Sequence, residues 1–251
     1  KHHEKIFLSF FNLSFKQMID KKLWYRDTQI TLRGKEYIMN EDFWNNLLGN
    51  QENEHALLKA YYTHVDDDLI VNQTKCTLLL EVLQRHSCAE ILSLIKEGDD
   101  LFEIDKKDIP QFSDFKDAYY KVPYMLANCG TKDVGYNEMG YMLRNENRKE
   151  VADKKYGENH IKTAALMGLC SFKKCRANTS TLGNLFIKLS EKERENILPK
   201  ICLYIPFLYN YFKKGGTDEV REDMLSVLSV TTQNRRRSNV NTIIDTIRKA
   251  L

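Results

Sequence analysis

Ser229-Val-Thr-Thr-Gln-Asn-Arg-Arg-Arg-Ser-Asn-Val-Asn-Thr-Ile-Ile-Asp-Thr-Ile-Arg-Lys-Ala-Leu251 carries two patterns at once. Val240, Ile243, Ile244, Ile247 and Leu251 fall at i, i+3, i+4, i+7 and i+11, the stripe of a helix that buries one face. Thr231 or Thr232 is suited to cap its start, a hydroxyl accepting a backbone N–H that the first turn leaves free. At about 3.6 residues per turn, Asn234, Arg235, Ser238, Thr242 and Asp245 project away from the stripe. Arg237, Asn239 and Asn241 fall on its flanks. The helix therefore opens with Gln233, Asn234, Arg235, Arg236 and Arg237, side chains shaped for bonds to adenine and guanine edges. A shorter helix, about Thr217 to Leu228, precedes it across a tight Ser-Val-Thr-Thr turn. The pair reads as a helix-turn-helix with its reading helix second.

A triple arginine at a helix start is ordinarily a solvated face, and positive charge there opposes the helix dipole. A phosphate backbone would offset that placement. Contact with DNA is therefore the expectation set against a plain solvated face.

The 251 residues allow one large or two small domains. Charged residues at 29% and hydrophobic ones at 42% are ordinary for a globular protein. The absence of an apolar run of about 18 residues predicts no membrane span, and no secretory signal is visible. Cys76, Cys88, Cys129, Cys170, Cys175 and Cys202 form no paired C-x-x-C knuckles. Most sit in helical apolar patterns, where a thiol acts as a small hydrophobe, so reduced thiols and a cytoplasmic location are expected. Cys170 and Cys175 flank a candidate β-ribbon, but its neighbourhood lacks the further ligands a zinc site needs.

Net charge is +3, unevenly spread. Residues 40–118 hold 7 Lys and Arg against 17 Asp and Glu, residues 119–251 hold 23 against 14, and residues 1–39 hold 8 against 4. Basic zones bracketing an acidic middle suggest a polyanionic partner for the former. Charge balance within one fold would give the same distribution.

Residues 5–19 read as an apolar helix. Leu23-Trp24-Tyr25 and Gln29-Ile30-Thr31-Leu32 around the polar turn Arg26-Asp27-Thr28 read as a hairpin, with a helix starting near Arg33. Residues 41–68 suggest helices around a break at Gly49-Asn50-Gln51. Thr74–Gln84 and Ser87–Lys96 are two more, the second with Ser87 and Glu90 as a capping box. His86 is expected at a helix end and Asp66-Asp67-Asp68 in a solvated turn. Gly98 to Ser113, polar and holding Pro110, is the expected linker between an N-terminal helical domain with a winged-helix-like hairpin (1–97) and a C-terminal domain (114–251). Within it, Glu103-Ile104-Asp105-Lys106-Lys107 on a β-like run has the acidic-x-Lys pattern of metal-dependent nucleases, but no suitably placed upstream Asp.

Phe115 to Cys129 predicts an apolar helix that tolerates or kinks at Pro123, and Asp133 to Leu143 a second. Arg148 to Leu169 predicts a third, broken or bent at Gly157, with Asn159, Lys162 and Thr163 outward. Leu169 to Phe172, a basic Lys173-Lys174 turn and Ala177 to Gly183 form a hairpin, followed by a helix over Asn184–Leu189. Three helices, a hairpin and a helix are the order of a winged helix. Ser190 and Glu193 cap a further helix, which Pro206 ends.

Tyr156-Gly157-Glu158-Asn159-His160-x-Lys162-x-Ala164, the Met167-Gly168-Leu169 turn and Ser229-Val-Thr-Thr-x-Asn-Arg-Arg have relatives. The stretch from Tyr136 to Leu251 resembles the winged-helix specificity regions attached to bacterial type II restriction endonucleases. The resemblance implies site-specific duplex DNA binding, with cleavage by a separate nuclease domain or subunit and Mg²⁺ needed only there.

The expectation is thus a mainly α protein of tandem winged-helix or helix-turn-helix units with short β-hairpin wings. It has no cofactor of its own, no membrane partner and no convincing catalytic core. Asn234, Arg235, Arg237 and Asn241 would read bases, with Gln233, Arg236, Asn239, Asn159 and Thr163 beside them. Lys154, Lys155, Lys162, Lys173, Lys174 and Arg176 would hold phosphates. A transcriptional regulator or phage-type repressor would use the same helices, with dimer symmetry. An intact nuclease would use Glu103, Asp105 and Lys107 to cut in the presence of Mg²⁺. A helical scaffold without a DNA role would show no salt-sensitive duplex binding.

Overall fold

The computed structural model describes residues 28–32, 35–39, 51–65, 67–130, 133–144 and 152–251 and is mainly helical. The chain divides into two units, Lys1–His86 and Ser87–Leu251. The division falls ahead of the boundary expected at 97/98, and residues 87–97 and 98–113 both lie in the second unit.

In the first unit, β1 (Thr28–Leu32) pairs antiparallel with β2 (Lys35–Met39), from Thr28↔Met39 to Leu32↔Lys35. The expected hairpin is thus shifted along the chain. Its predicted first arm, 23–25, lies outside the described residues, and Lys35–Met39, expected within a helix, is instead a strand. Only Arg33 and Gly34 separate the paired ends in sequence, and Tyr37-Ile38 favours extended backbone. Helix α1 (Gln51–Tyr62) buries Leu57, Leu58, Tyr61 and Tyr62. Helix α2 (Gln73–Arg85) is capped by Asn72, whose Oδ1 accepts the Lys75 N–H at 3.1 Å, and buries Cys76, Leu78, Leu79, Val82 and Leu83. His86 ends α2 as expected, its Nε2 2.6 Å from the buried Glu54 carboxylate.

The second unit opens with α3 (Cys88–Lys96), whose Ser87–Glu90 capping box is present. A helix then runs through a π-turn (Asp117–Lys121) into α4 (Val122–Asn128). The widened turn explains how Pro123 is tolerated. The Val122 N–H reaches back to Asp117 O, shifting the ladder by one residue just where proline supplies no donor.

After α4 come β3 (Val134–Gly135), α5 (Tyr136–Met142), α6 (Asp153–Leu166), β4 (Cys170–Lys173) and β5 (Arg176–Thr179). The sheet order is β3-β5-β4, both pairings antiparallel. Its core joins Val122, Leu126, Val134, Met139, Leu143, Ile161, Ala164 and Ala177. Gly157 does not break α6 as expected. A Cβ there would lie 2.0 Å from Tyr136 O, and one at Gly140 would lie 1.9 Å from Asp153 O. The two glycines let α5 and α6 cross backbone to backbone, and that close approach accounts for them. Lys174 and Cys175 form the two-residue β4–β5 turn with φ of 49° and 62°, the left-handed pair such a hairpin needs.

Ser180 ends the hairpin and caps α7 (Thr181–Phe186), so Gly183 is helical and the helix starts earlier than expected. Then follow α8 (Glu191–Cys202), with the expected Ser190–Glu193 box, and α9, opened by Pro206 (Pro206–Lys213). The chain closes with α10 (Asp218–Leu225) and α11 (Val230–Arg248). Val240, Ile243, Ile244 and Ile247 of α11 are buried, whereas Leu251 lies past the helix end and is exposed. The helix starts at Val230 after Ser229, so Thr231 and Thr232 sit inside its first turn and do not cap it.

Residues 98–114 form an irregular strap fastened by side chains. The Asn210 amide accepts from the Phe102 N–H (3.0 Å) and donates to the Phe102 carbonyl (2.8 Å). The Thr163 hydroxyl does the same with both backbone groups of Gln111, at 3.1 and 2.8 Å. His160 Nε2 accepts from the Ser113 and Asp114 N–H groups, at 3.2 and 3.3 Å. Its Nδ1 lies 2.7 Å from Tyr156 O, which makes it the protonated nitrogen of a neutral ring. Ile109 and Phe112 are buried beneath. Leu101 to Lys107 is not a strand. Asp105 caps the short 3-10 turn Lys106–Asp108, its Oδ1 accepting the Lys106 N–H at 2.6 Å. A capping carboxylate, and not a strand-borne nuclease triplet, is the role of Asp105 here.

Candidate nucleic-acid interface

Helix α6 has two unlike sides. Asp153, Gly157, His160, Ile161, Thr163 and Ala164 are buried. Lys154, Lys155 and Lys162 are exposed, with Glu158 and Asn159 half-buried between them. Thr163, expected to point outward, is fully buried on the strap. It follows His160 by one helical turn, and both bond to the same segment. Of the predicted α6 contacts, Lys154, Lys155, Asn159 and Lys162 remain reachable.

Glu158 is bonded on both sides, Lys155 Nζ at 3.0 Å and Lys162 Nζ at 2.5 Å. Partial burial pulls its carboxyl upward, but the bonds to Lys162 and Lys155 outweigh that and hold it below the usual range. It is therefore a carboxylate at neutral pH, flanked by two cations on one face.

The hairpin continues the basic surface. Lys173, Lys174 and Arg176 are exposed. Arg176 donates to the Asp133 carbonyl and Asn178 to the Asp133 carboxylate, tying the β5 start to the residue ahead of β3. Phe172 on β4 is 43% exposed, its ring 6.3 Å from that of Tyr136. Cys175 at the turn is exposed, whereas Cys170 is buried with its thiol directed at Ile161 O, 3.4 Å away. The two are not a pair of ligands.

The terminal helix is arranged differently from the expectation. Asn234, Arg235, Ser238, Thr242 and Asp245 are exposed as projected. Arg237 instead grips Glu222 of α10, its Nε 2.8 Å from Oε1 and its Nη2 2.5 Å from Oε2. Arg237 Nη1 also donates to Asn234 Oδ1 at 2.7 Å. Gln233 Nε2 donates to Leu228 O at 2.9 Å, holding the α10–α11 turn. Arg236 donates to Ile109 O of the strap, and Asn239 is buried with its Nδ2 2.8 Å from Phe112 O. Burial, with neighbouring Arg235 second, lowers the Arg236 pKa. Asn241 is half-buried with its Oδ1 shielded from solvent.

Gln233, Arg236, Arg237 and Asn239 thus make bonds within the fold where contacts to DNA were expected, and Asn241 is half-buried. Each lies close enough to the isoleucine stripe, or to α10, to be drawn into packing. No family model, curated protein or solved structure matches the chain. The surface itself carries the functional reading.

Sequence reasoning passed over Glu158 and Phe172. Glu158 was legible from its spacing, three residues after Lys155 and four before Lys162, which sets all three on one helix face. Phe172 gave no signal, because an aromatic in a short strand ordinarily points inward.

Proposed function

We propose that Ser87–Leu251 binds double-stranded DNA through a winged helix formed by residues 115–179. In this reading α6 enters the major groove and the β4–β5 hairpin is the wing beside it. One observation carries it. The element order α4, β3, α5, α6, β4, β5 and the strand order β3-β5-β4 coincide with exposed lysines on α6 and on the hairpin turn.

Lys154, Lys155, Lys162, Lys173, Lys174 and Arg176 are the phosphate-holding cations, and Asn159, half-buried in the α6 face, is suited to an adenine edge. Among the predicted terminal-helix readers, only Asn234 and Arg235 are exposed. They serve as additional contacts to the polyanion. In the setting implied by the likeness to type II restriction endonucleases, this unit selects the site and a separate nuclease domain or subunit cuts it.

The test is selection from random duplexes at several salt concentrations. The reading expects enrichment of a defined site and binding that weakens steeply with salt, since released counterions drive such binding. Salt-insensitive binding, or no duplex binding, overturns it. A palindromic selected site with a dimeric protein would instead point to a repressor-like regulator.

A further inference from the structure

Glu158 occupies an unusual place on a surface offered to DNA. It sits mid-helix on the exposed side of α6, a carboxylate between two lysines. Its side chain is 20% exposed, whereas those of Lys155 and Lys162 are 63% and 46% exposed. The lysines therefore reach out while the acid lies lower, near the helix surface. The lysines are seven positions apart, about 10 Å along the axis, and an α-helix fits the roughly 12 Å wide major groove. A helix seated there can direct its lysines toward the phosphate walls and Glu158 toward the base edges.

An ionised carboxylate only accepts hydrogen bonds. In the major groove the donors are the exocyclic amino groups of cytosine and adenine, and adenine couples its donor to the N7 acceptor, which a carboxylate meets poorly. Guanine offers only acceptors there, and phosphate repels it.

We infer that Glu158 is a specificity-determining residue of α6 that accepts from a cytosine N4 amino group. On DNA lacking that base in the right place, it holds Lys155 and Lys162 away from the phosphates. The inference rests on the duplex-binding reading above. On a matching duplex the carboxylate exchanges its lysine partners for the cytosine donor, and the lysines are released to the backbone. On a non-matching duplex the carboxylate faces acceptors, or an adenine donor flanked by the N7 acceptor, and the lysines stay bonded to it. A single residue thereby links base identity to the strength of phosphate contact.

The experiment measures affinities of the full chain, E158Q and E158D for the selected duplex, for the same duplex with its contacted C·G pair replaced, and for unrelated duplexes. E158Q is neutral and both donates and accepts. It is expected to lose on the order of tenfold in discrimination at one C·G position. It should also bind unrelated duplexes severalfold more tightly and with a steeper salt dependence, because two lysines are set free. E158D keeps the charge and is expected to keep the weak binding to unrelated duplexes. Unchanged base preference and unchanged non-specific affinity in E158Q overturn the inference alone. Failure of the unmodified chain to bind any duplex with salt dependence overturns the underlying reading and the inference with it.

Discussion

Gly157 of α6 lies directly against Gly140 of α5, and a methyl group on Gly157 would come within 2.7 Å of the Gly140 nitrogen. The same methyl would sit 2.0 Å from the Tyr136 carbonyl oxygen. Backbone atoms cannot rotate away as a side-chain tip can, so relief requires the helices to separate. Gly157→Ala is therefore expected to destabilise the second unit by about 1–3 kcal/mol or more, although alanine favours helices. Urea unfolding checks this, and a neutral or stabilising result would contradict the crossing.

The strap gives a prediction of a different kind. Thr163→Val keeps the shape but leaves the Gln111 N–H and carbonyl without their side-chain partner. Because Gln111 is half-buried, a cost of about 0.5–1.5 kcal/mol is expected for the lost bonds. The variant should show lower stability, with duplex affinity unchanged for the folded fraction. Loss of affinity without loss of stability would return Thr163 to the outward role first expected of it.

For the binding surface, Lys174→Ala should weaken binding to every duplex alike and reduce the salt slope by about one. Asn159→Ala should cost about 1–3 kcal/mol on the preferred site and relax preference at one base. Equal losses on all duplexes in both variants would reject this division of roles. Arg237→Ala, in contrast, should chiefly loosen α10 from α11.

That α10–α11 clasp depends on pH. The bond from Arg237, with Arg221 assisting, holds the Glu222 carboxyl below its ordinary value. A carboxyl with a depressed folded-state pKa adds stability above its unfolded pKa and loses it as the pH falls through the folded one. Both groups are about a third exposed, so solvent screening keeps the contribution small. Thermal unfolding at pH 7 should show Glu222→Gln slightly less stable than the parent, with the gap closing well below pH 4.5, the ordinary carboxyl value. A gap that persists at low pH would show the clasp contributes by packing, not charge.

Much of the second unit was legible from local signals. The Ser87–Glu90 and Ser190–Glu193 capping boxes fixed two helix starts, and the spacing from Val240 to Ile247 identified the buried side of α11. Non-local facts were not legible. Gly157 looked like a helix breaker because sequence shows its missing side chain but not the Gly140 opposite. Arg237 and Asn239 looked like readers because their partners, Glu222 and the Phe112 carbonyl, are respectively 15 and 127 residues away in sequence. Polar, acidic 98–113 looked like a linker because satisfaction of its backbone by Asn210, Thr163 and His160 follows from folding, not composition. The candidate site was half legible: the cations stood out, whereas Glu158 was passed over although its spacing to Lys155 and Lys162 already set it between them.

The way the strap is fastened bears on where the molecule can be cut. An isolated C-terminal half starting at Asp114 would discard the segment that covers Thr163, His160 and Asn239, opening buried polar groups to water behind α6. A fragment beginning at Ser87, with α3 and its cap intact, keeps that covering in place. It is the natural truncation for dissecting this half from the rest.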